Sequence, residues 1–321
     1  MNFEEFVDYV EENILDFMPR SYAGANVDMQ EVTKNNGLKL HGLMIFKENS
    51  TIVPTLYLDD LFKAYKNGDS LDLVMLRIAE SYVEADNRTD IDSNMIMDFE
   101  SVKPRIVPHL VNLEANAGKL LEIPYKIVND LAVIFFIETN RDKDGVLKVC
   151  ITNELMEIYG VGVSELYDIA VKNLNTFSVP FFKGIREFVS QDLGTDVSRP
   201  EEEQMYVITN ADRVNGSAQI LNLKLMEQIS ARIGGDFYII PSSIHEVLAM
   251  PVGIIDIENL EFMVHEVNST QVPMEDRLSD SVYAFDSVNR EIVFGRDLTS
   301  VEEREAALLD KMNNERWDAS M

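Results

Sequence analysis

Cysteine, histidine and basic residues are all scarce in this sequence, and each shortage argues against a class of function. Cys150 is the only cysteine, so no disulfide framework can form within the chain, and a reducing, cytoplasmic setting is expected. Only four histidines are present (His41, His109, His245, His265), with no HExxH and no paired CxxC spacing. A zinc site of ordinary type therefore lacks its ligands and no metal is expected, while a carboxylate site for Mg²⁺ or Ca²⁺ would take oxygen ligands at spacings that the sequence does not fix. Lys and Arg number 28 against 56 Asp and Glu, a net charge of −28. A field of that sign repels phosphate backbones and anionic lipid surfaces, which argues against direct nucleic-acid or membrane binding. The most apolar stretch, Leu131 to Ile137, falls far short of the roughly twenty apolar residues of a bilayer span. The opening Met1-Asn2-Phe3-Glu4-Glu5 carries no basic region before an apolar run, so no secretory signal is read there.

What is present is ample apolar material. At 321 residues and 46% hydrophobic, the chain can bury a sizeable core and exceeds the usual size of one compact unit, so two lobes are expected. Phe3, Phe6, Val7, Val10, Ile14 and Phe17 recur at helical spacing behind Asn2 as N-cap, with Glu5 at capping-box distance. Asn26 to Lys34 and Leu38 to Phe46 flank Asn35-Asn36-Gly37, a strong hairpin signal. A second hairpin is predicted where Leu131 to Glu138 and Val146 to Ile151 flank a polar loop ending in Gly145. Asp142, Asp144 and Gly145 resemble part of a calcium loop. The closing Glu is missing, and a plain turn explains them.

Both hairpins lead into similar text, Leu58 to Tyr65 and Thr152 to Tyr159, then a glycine turn and a second helix. The shared order raises an internal duplication. Gln191 to Gln204, with Gly194, Pro200 and three consecutive Glu, reads as a linker. Beyond it, strands at Met205 to Thr209 and Asp236 to Pro241, a helix from Ser217 to Ile233, a helix capped by Asp256, and a strand pair at Ser281 to Phe285 and Glu291 to Phe294 are expected. Ser300 and Glu303 form a capping-box signature for a charged terminal helix. The fold class is thus α+β: hairpin-plus-helix units in an N-terminal lobe (1–195), a mixed α/β lobe (200–298) and a terminal helix (299–321), with the boundary near residue 200.

Several stretches resemble one known family: Gly42-Leu43, Pro54-Thr55-Leu56-Tyr57-Leu58, Ile123-Pro124-Tyr125, Asn129-Asp130-Leu131-Ala132-Val133 and Ile151-Thr152-Asn153 in the first half. Met205 to Asn210, Asn215-Gly216, Pro241 to Glu246, Val264 to Asn268 and Leu278 to Tyr283 follow in the second. Together they resemble the bacterial domain of unknown function 5688 family across nearly the whole chain. Where that family commonly shows Gly-Ala-Ala, this chain has Gly216-Ser217-Ala218. The resemblance implies a protein of anaerobic gut bacteria, often carried on mobile elements. It supports the architecture and implies no activity.

For chemistry, the most suggestive text is Pro241-Ser242-Ser243-Ile244-His245-Glu246. Ser243, His245 and Glu246 contain the residue types of a nucleophilic site. Neighbours this close in sequence rarely converge, because triads gather residues from distant segments. A serine capping a turn or helix, with Glu at capping-box spacing, explains the same residues without a missing partner. Asn210, Arg213 and Asn215 are candidate ligand contacts, since they lie at a strand-to-helix junction that could hold an anion. No G-x-x-x-x-G-K-[ST] or G-x-G-x-x-G motif occurs, and no cofactor is expected. Cys150, between Val149 and Ile151, reads as a small buried hydrophobe. A non-catalytic binding protein with a protein partner is the leading expectation. One alternative is a hydrolase of unrecognised type at the Ser243 corner. Another is an acidic imitation of DNA, although the acids fall in short runs such as Glu201-Glu202-Glu203 rather than one-sided rows.

Overall fold

The computed structural model describes residues 1–48, 53–88, 93–142, 145–193, 205–241, 243–304 and 306–307. Asp144, Ser242, residues 194–204 of the expected linker and residues 308–321 of the expected terminal helix lie outside them. The chain is α+β, and the described residues form three antiparallel sheets with helices packed on them.

The first unit begins with α1 (Phe3–Phe17), which starts where the sequence places it. Asn2 Oδ1 accepts from Glu5 N at 2.9 Å and Glu5 Oε2 accepts from Asn2 N at 2.9 Å, so two orphan amides of the first turn are satisfied reciprocally. Strands β1 (Asn26–Thr33) and β2 (Lys39–Phe46) pair from Asn26↔Phe46 to Thr33↔Lys39. Their turn needs left-handed backbone, supplied by Asn36 at φ 56° and Gly37 at φ 76°. A short β3 (Leu56–Tyr57) adds to β2, and α2 (Asp59–Lys66) and α3 (Leu71–Arg88) follow. Phe6, Val10, Ile14, Leu43, Ile45, Leu58, Met75, Ile78 and Tyr82 form a core of their own.

After α4 (Ser93–Met97) and α5 (Phe99–Val102) comes a sheet of β4 (Ile106–Asn112), β5 (Tyr125–Val128), β6 (Leu131–Asp142) and β7 (Gly145–Cys150). The central β6 pairs with β4 along one flank, and with β5 and then β7 along the other. Alternate β6 residues face opposite ways. Leu131, Val133, Phe135 and Ile137 enter the main core, while Ala132 and Ile134 pack under the 113–124 loop against Leu120 and Ile123. Helices α6 (Asn153–Tyr159) and α7 (Val163–Phe177) cover the core side.

The third sheet holds β8 (Pro180–Gly184), β9 (Tyr206–Asn210), β10 (Phe237–Ile240), β11 (Val247–Pro251), β12 (Tyr283–Asp286) and β13 (Glu291–Phe294) in the order β13-β12-β10-β11-β9-β8. Helices α8 (Ile185–Leu193), α9 (Leu223–Ile233) and α10 (Ile257–Thr270) connect them. The expected single helix over 217–233 is split into a 3-10 turn at Gly216–Leu221 and α9, because the Asn222 side chain turns back to accept from Leu225 N at 3.3 Å and caps a new start. The Ser300–Glu303 capping box forms in both directions. Behind it Arg304, 7% exposed, pairs with buried Asp236 and Asp286.

The hydrophobic cores partition the chain differently from a boundary near residue 200. Strand β8 pairs with β9 from Pro180↔Asn210 to Gly184↔Tyr206. A single core then joins Phe135, Leu166 and Leu174 to Ile208, Ile239 and Phe285. The two stretches read as a duplication share only element order. Helix α3 packs on α1 and α2, whereas α7 packs on β4 and its sheet, and a duplication is not established. Among the described residues, no helix is long and apolar enough to cross a membrane.

Candidate functional site

The end of β9, the turn after it and the corner between β10 and β11 come together. Asn210 ends β9 and organises the turn. Its Nδ2 donates to Val214 O at 2.8 Å and Ser178 Oγ at 2.9 Å, and its Oδ1 accepts from Val214 N at 3.2 Å. Arg213 and Asn215 adopt left-handed backbone, φ 54° and 52°. Gly216 follows at the point of closest approach, where a Cβ would meet Thr209 Oγ1 and would lie 2.6 Å from His245 O and 2.7 Å from Asn210 N. Only glycine fits there, because two of those neighbours are backbone. Thr209 Oγ1 donates to His245 O at 2.7 Å, and Ser217 N donates to Ile244 O at 3.2 Å.

At the corner, the Ser243 hydroxyl accepts from His245 N at 3.0 Å and Glu246 N at 3.3 Å, and donates to Glu246 Oε1 at 2.8 Å. It caps a turn that opens β11, not a helix. The His245 ring turns elsewhere. Its Nδ1 accepts from Asn215 N at 3.2 Å, and Nε2 lies 3.2 Å from Asp276 Oδ1. A backbone N–H can only donate, so Nδ1 carries the lone pair and the ring proton sits on Nε2, facing the carboxylate. Neither nitrogen is left to take a proton from a nucleophile, and the bonds of the Ser243 hydroxyl go to Glu246 and to backbone. The three residues thus share a corner without forming a relay. Arg213 sends its guanidinium over the Phe188 ring, 4.2 Å from the centroid, so the structure brings Asn210 and Asn215 to His245 and directs Arg213 to α8.

The family model described as a family of unknown function (DUF5688) matches residues 3–287, which takes in all three sheets up to the end of β12. The chain belongs to this family. No curated protein and no solved structure matches it.

Two further features of this DUF5688 chain carry titratable groups that sequence reading passed over. His109 on β4 is buried and stacks on Phe136 at 4.4 Å, with Lys148 Nζ 3.1 Å from its Nε2. Burial first, then the charges of Lys148, Lys119 and His245, push its pKa well below the ordinary value. The neutral ring accepts from the ammonium. Beside it a pocket of about 20 Å³ reaches Glu138, Ser178 and Asn210, room for about one water. His109 was hidden in the apolar run Ile106 to Val111, where a lone histidine resembles a core residue.

The second feature is a pair of adjoining cavities of about 550 and 560 Å³ that share Asn112, Glu114 and Asp130. Asp130 follows Asn129, whose φ of 54° turns the chain from β5 into β6. Its carboxylate accepts from Ser279 Oγ at 2.7 Å, Ser281 Oγ at 3.0 Å and Tyr283 Oη at 2.5 Å. The Asn129-Asp130 turn pair was the available signal, though it speaks of a turn and not of a cavity. Among the described residues, no group of three or more His, Cys, Asp or Glu is placed to hold a metal ion. The half-buried Cys150 thiol is pushed up by burial, which disfavours the reactive thiolate.

Proposed function

We propose that this chain is a non-catalytic binding protein of the cytoplasm that acts by holding a protein partner. The observation that carries the reading is the commitment of the Ser243 corner to the fold. The Ser243 hydroxyl holds Glu246 and two backbone amides, and both His245 nitrogens are engaged by Asn215 and Asp276. A hydrolase that used Ser243 as nucleophile and His245 as base would need a ring nitrogen facing the hydroxyl. The cavities shared by Asn112, Glu114 and Asp130 lie instead in the size range that accepts a ligand or a partner's side chains. A single cysteine accords with a reducing compartment.

The test is affinity capture from a native lysate of the source cell, at rising salt, beside His245→Gln. A protein recovered in stoichiometric amount by both forms is the expected result. Recovery of the chain alone, together with a hydrolytic turnover that His245→Gln abolishes, would overturn the proposal.

A further inference from the structure

The two adjoining cavities differ in chemistry. One is walled by Leu113, Leu120, Leu121, Tyr125 and Ile127. Of these, Leu121 is 81% exposed and Ile127 55% exposed, so this end presents adjoining apolar side chains to solvent. The other is walled by Asn36, Asp130, Arg277 and Asp280 together with the hydroxyls of Ser279 and Ser281. Their junction carries Glu114 and Asp130, and among the described residues no Lys or Arg pairs with either. Arg277 is engaged by carbonyls, its Nε with Val272 O at 3.0 Å and its Nη2 with Ser269 O at 3.4 Å. The lining sets the carboxylates of Glu114, Asp130 and Asp280 against the single guanidinium of Arg277, so the polar end is net negative at short range, within a chain of net charge −28, and the apolar end begins beside it.

Strand β5 forms the wall of the apolar end. Among the described residues β6 is its one strand neighbour, and Tyr125 and Ile127, alternate residues on one face, line the groove. An extended chain laid along such an edge gains main-chain hydrogen bonds and points every second side chain the same way.

We propose that this joined groove docks an extended segment of a partner protein in which an apolar side chain neighbours a lysine or arginine. The apolar side chain seats among Leu113, Leu120, Tyr125 and Ile127, and the cation reaches Glu114 and Asp130. Charge complementarity selects this occupant: an acidic or neutral segment would bring no counter-charge to the two carboxylates, and a basic segment without an apolar residue would leave Leu121 and Ile127 in water. The inference rests on the binding reading above and names its site and partner chemistry.

The experiment is selection of short random peptides displayed on phage against the full chain. Anisotropy titration of an enriched peptide follows, against the parent, Leu121→Asp, Glu114→Lys and Glu302→Lys. Positions 114, 121 and 302 are exposed, so none of the three substitutions disturbs a core. Glu302→Lys changes charge as Glu114→Lys does, away from the groove. Enriched peptides are expected to pair an apolar residue with a neighbouring Lys or Arg. Leu121→Asp and Glu114→Lys should each weaken binding about tenfold or more, and Glu302→Lys less than about twofold, because a distant exposed charge is screened. Failure to enrich any peptide, enrichment without the basic–apolar pair, or equal loss in all three variants overturns the groove. A partner captured from lysate that still binds both groove variants removes the groove and leaves the binding reading standing. A turnover lost in His245→Gln removes that reading itself.

Discussion

Residues 1–88 bury Phe6, Ile14, Leu43, Ile78 and Tyr82 against one another, whereas the rest of the chain needs strands on both sides of residue 200 to close one core. The first unit meets the larger body through the tip of its hairpin. Asn36 N donates to Asn116 Oδ1 at 3.0 Å, Asn116 Nδ2 returns a bond to Asn36 Oδ1 at 3.0 Å, and Asn36 Nδ2 reaches Met274 O and Arg277 O at 2.7 Å. Asn35 Nδ2 adds Glu275 O at 2.6 Å. One attachment is thus apolar and pervasive, the other polar and local. The polar stretch at 191–204 separates two parts that share a core, so a change of composition along a chain does not by itself mark where cooperative units end.

The largest expected effect comes from Phe135→Ala, which opens a cavity where the two sheets of the body meet. A loss of about 3–5 kcal/mol is expected. By hydrogen exchange, amides of β6 and β10 should lose protection together while α1 and α3 keep theirs. If β10 stays protected, the body divides near residue 200 after all.

Asn36→Ala strikes the other attachment. It leaves Asn116 Nδ2 without the Asn36 Oδ1 acceptor and two carbonyls without their donor, at about 1–3 kcal/mol, and removes the polar side chain that lets asparagine hold φ 56° more readily than alanine. Asn36→Gly keeps the backbone and removes only the side chain. Both should make the first unit melt apart from the body in a calorimetric scan, with Asn36→Gly the milder. A single unchanged transition in both would mean that other contacts hold the unit.

Within the first unit, Tyr82→Phe should cost about 1–3 kcal/mol, since the buried hydroxyl accepts from Ile45 N at 2.6 Å and its loss strands that amide. Burial, with a smaller contribution from the Asp86 charge and against the hydrogen bond to Ile45, pushes the Tyr82 phenol from 10.0 up to about 12. A folded pKa above the unfolded one gives stability that is fully present below pH 10 and lost as pH rises toward 12. The gap between Tyr82→Phe and its parent in urea melts should therefore narrow across that window. A gap constant with pH would show that the phenol does not titrate as its burial requires.

Local features were the ones legible in the sequence. The Asn2–Glu5 and Ser300–Glu303 boxes, the Asn36-Gly37 hairpin and the Asp256 cap depend on residues within a few positions of each other, where side chain and backbone meet by chain geometry alone. Strand β4 was missed because Pro108 and His109 interrupt its apolar run, and β8 because it precedes a polar stretch and pairs across it. The Ser243 corner was legible as a corner. That its histidine would turn to Asn215 and Asp276, and that Asp130 would gather Ser279, Ser281 and Tyr283 from about 150 residues away, depends on long-range closure that no local pattern encodes.

The smallest expected effect tests whether the corner belongs to the body's fold or to a ligand. Ser243 is 7% exposed, and its hydroxyl holds the amides of His245 and Glu246 together with the Glu246 carboxylate. Ser243→Ala removes those bonds but leaves Ser243 N donating to Glu246 O at 3.2 Å, so the turn keeps its backbone closure. A loss of about 1 kcal/mol is expected, read as a lower urea midpoint at unchanged slope. Because the corner lies on the body and not on the first unit, exchange should quicken at β11 and at Asn215 and Gly216, which the corner braces, and not at β1 or β2. Capture of a protein partner should be unaffected. Should Ser243→Ala melt like its parent while partner capture disappears, the hydroxyl serves recognition and the corner is a binding site in its own right.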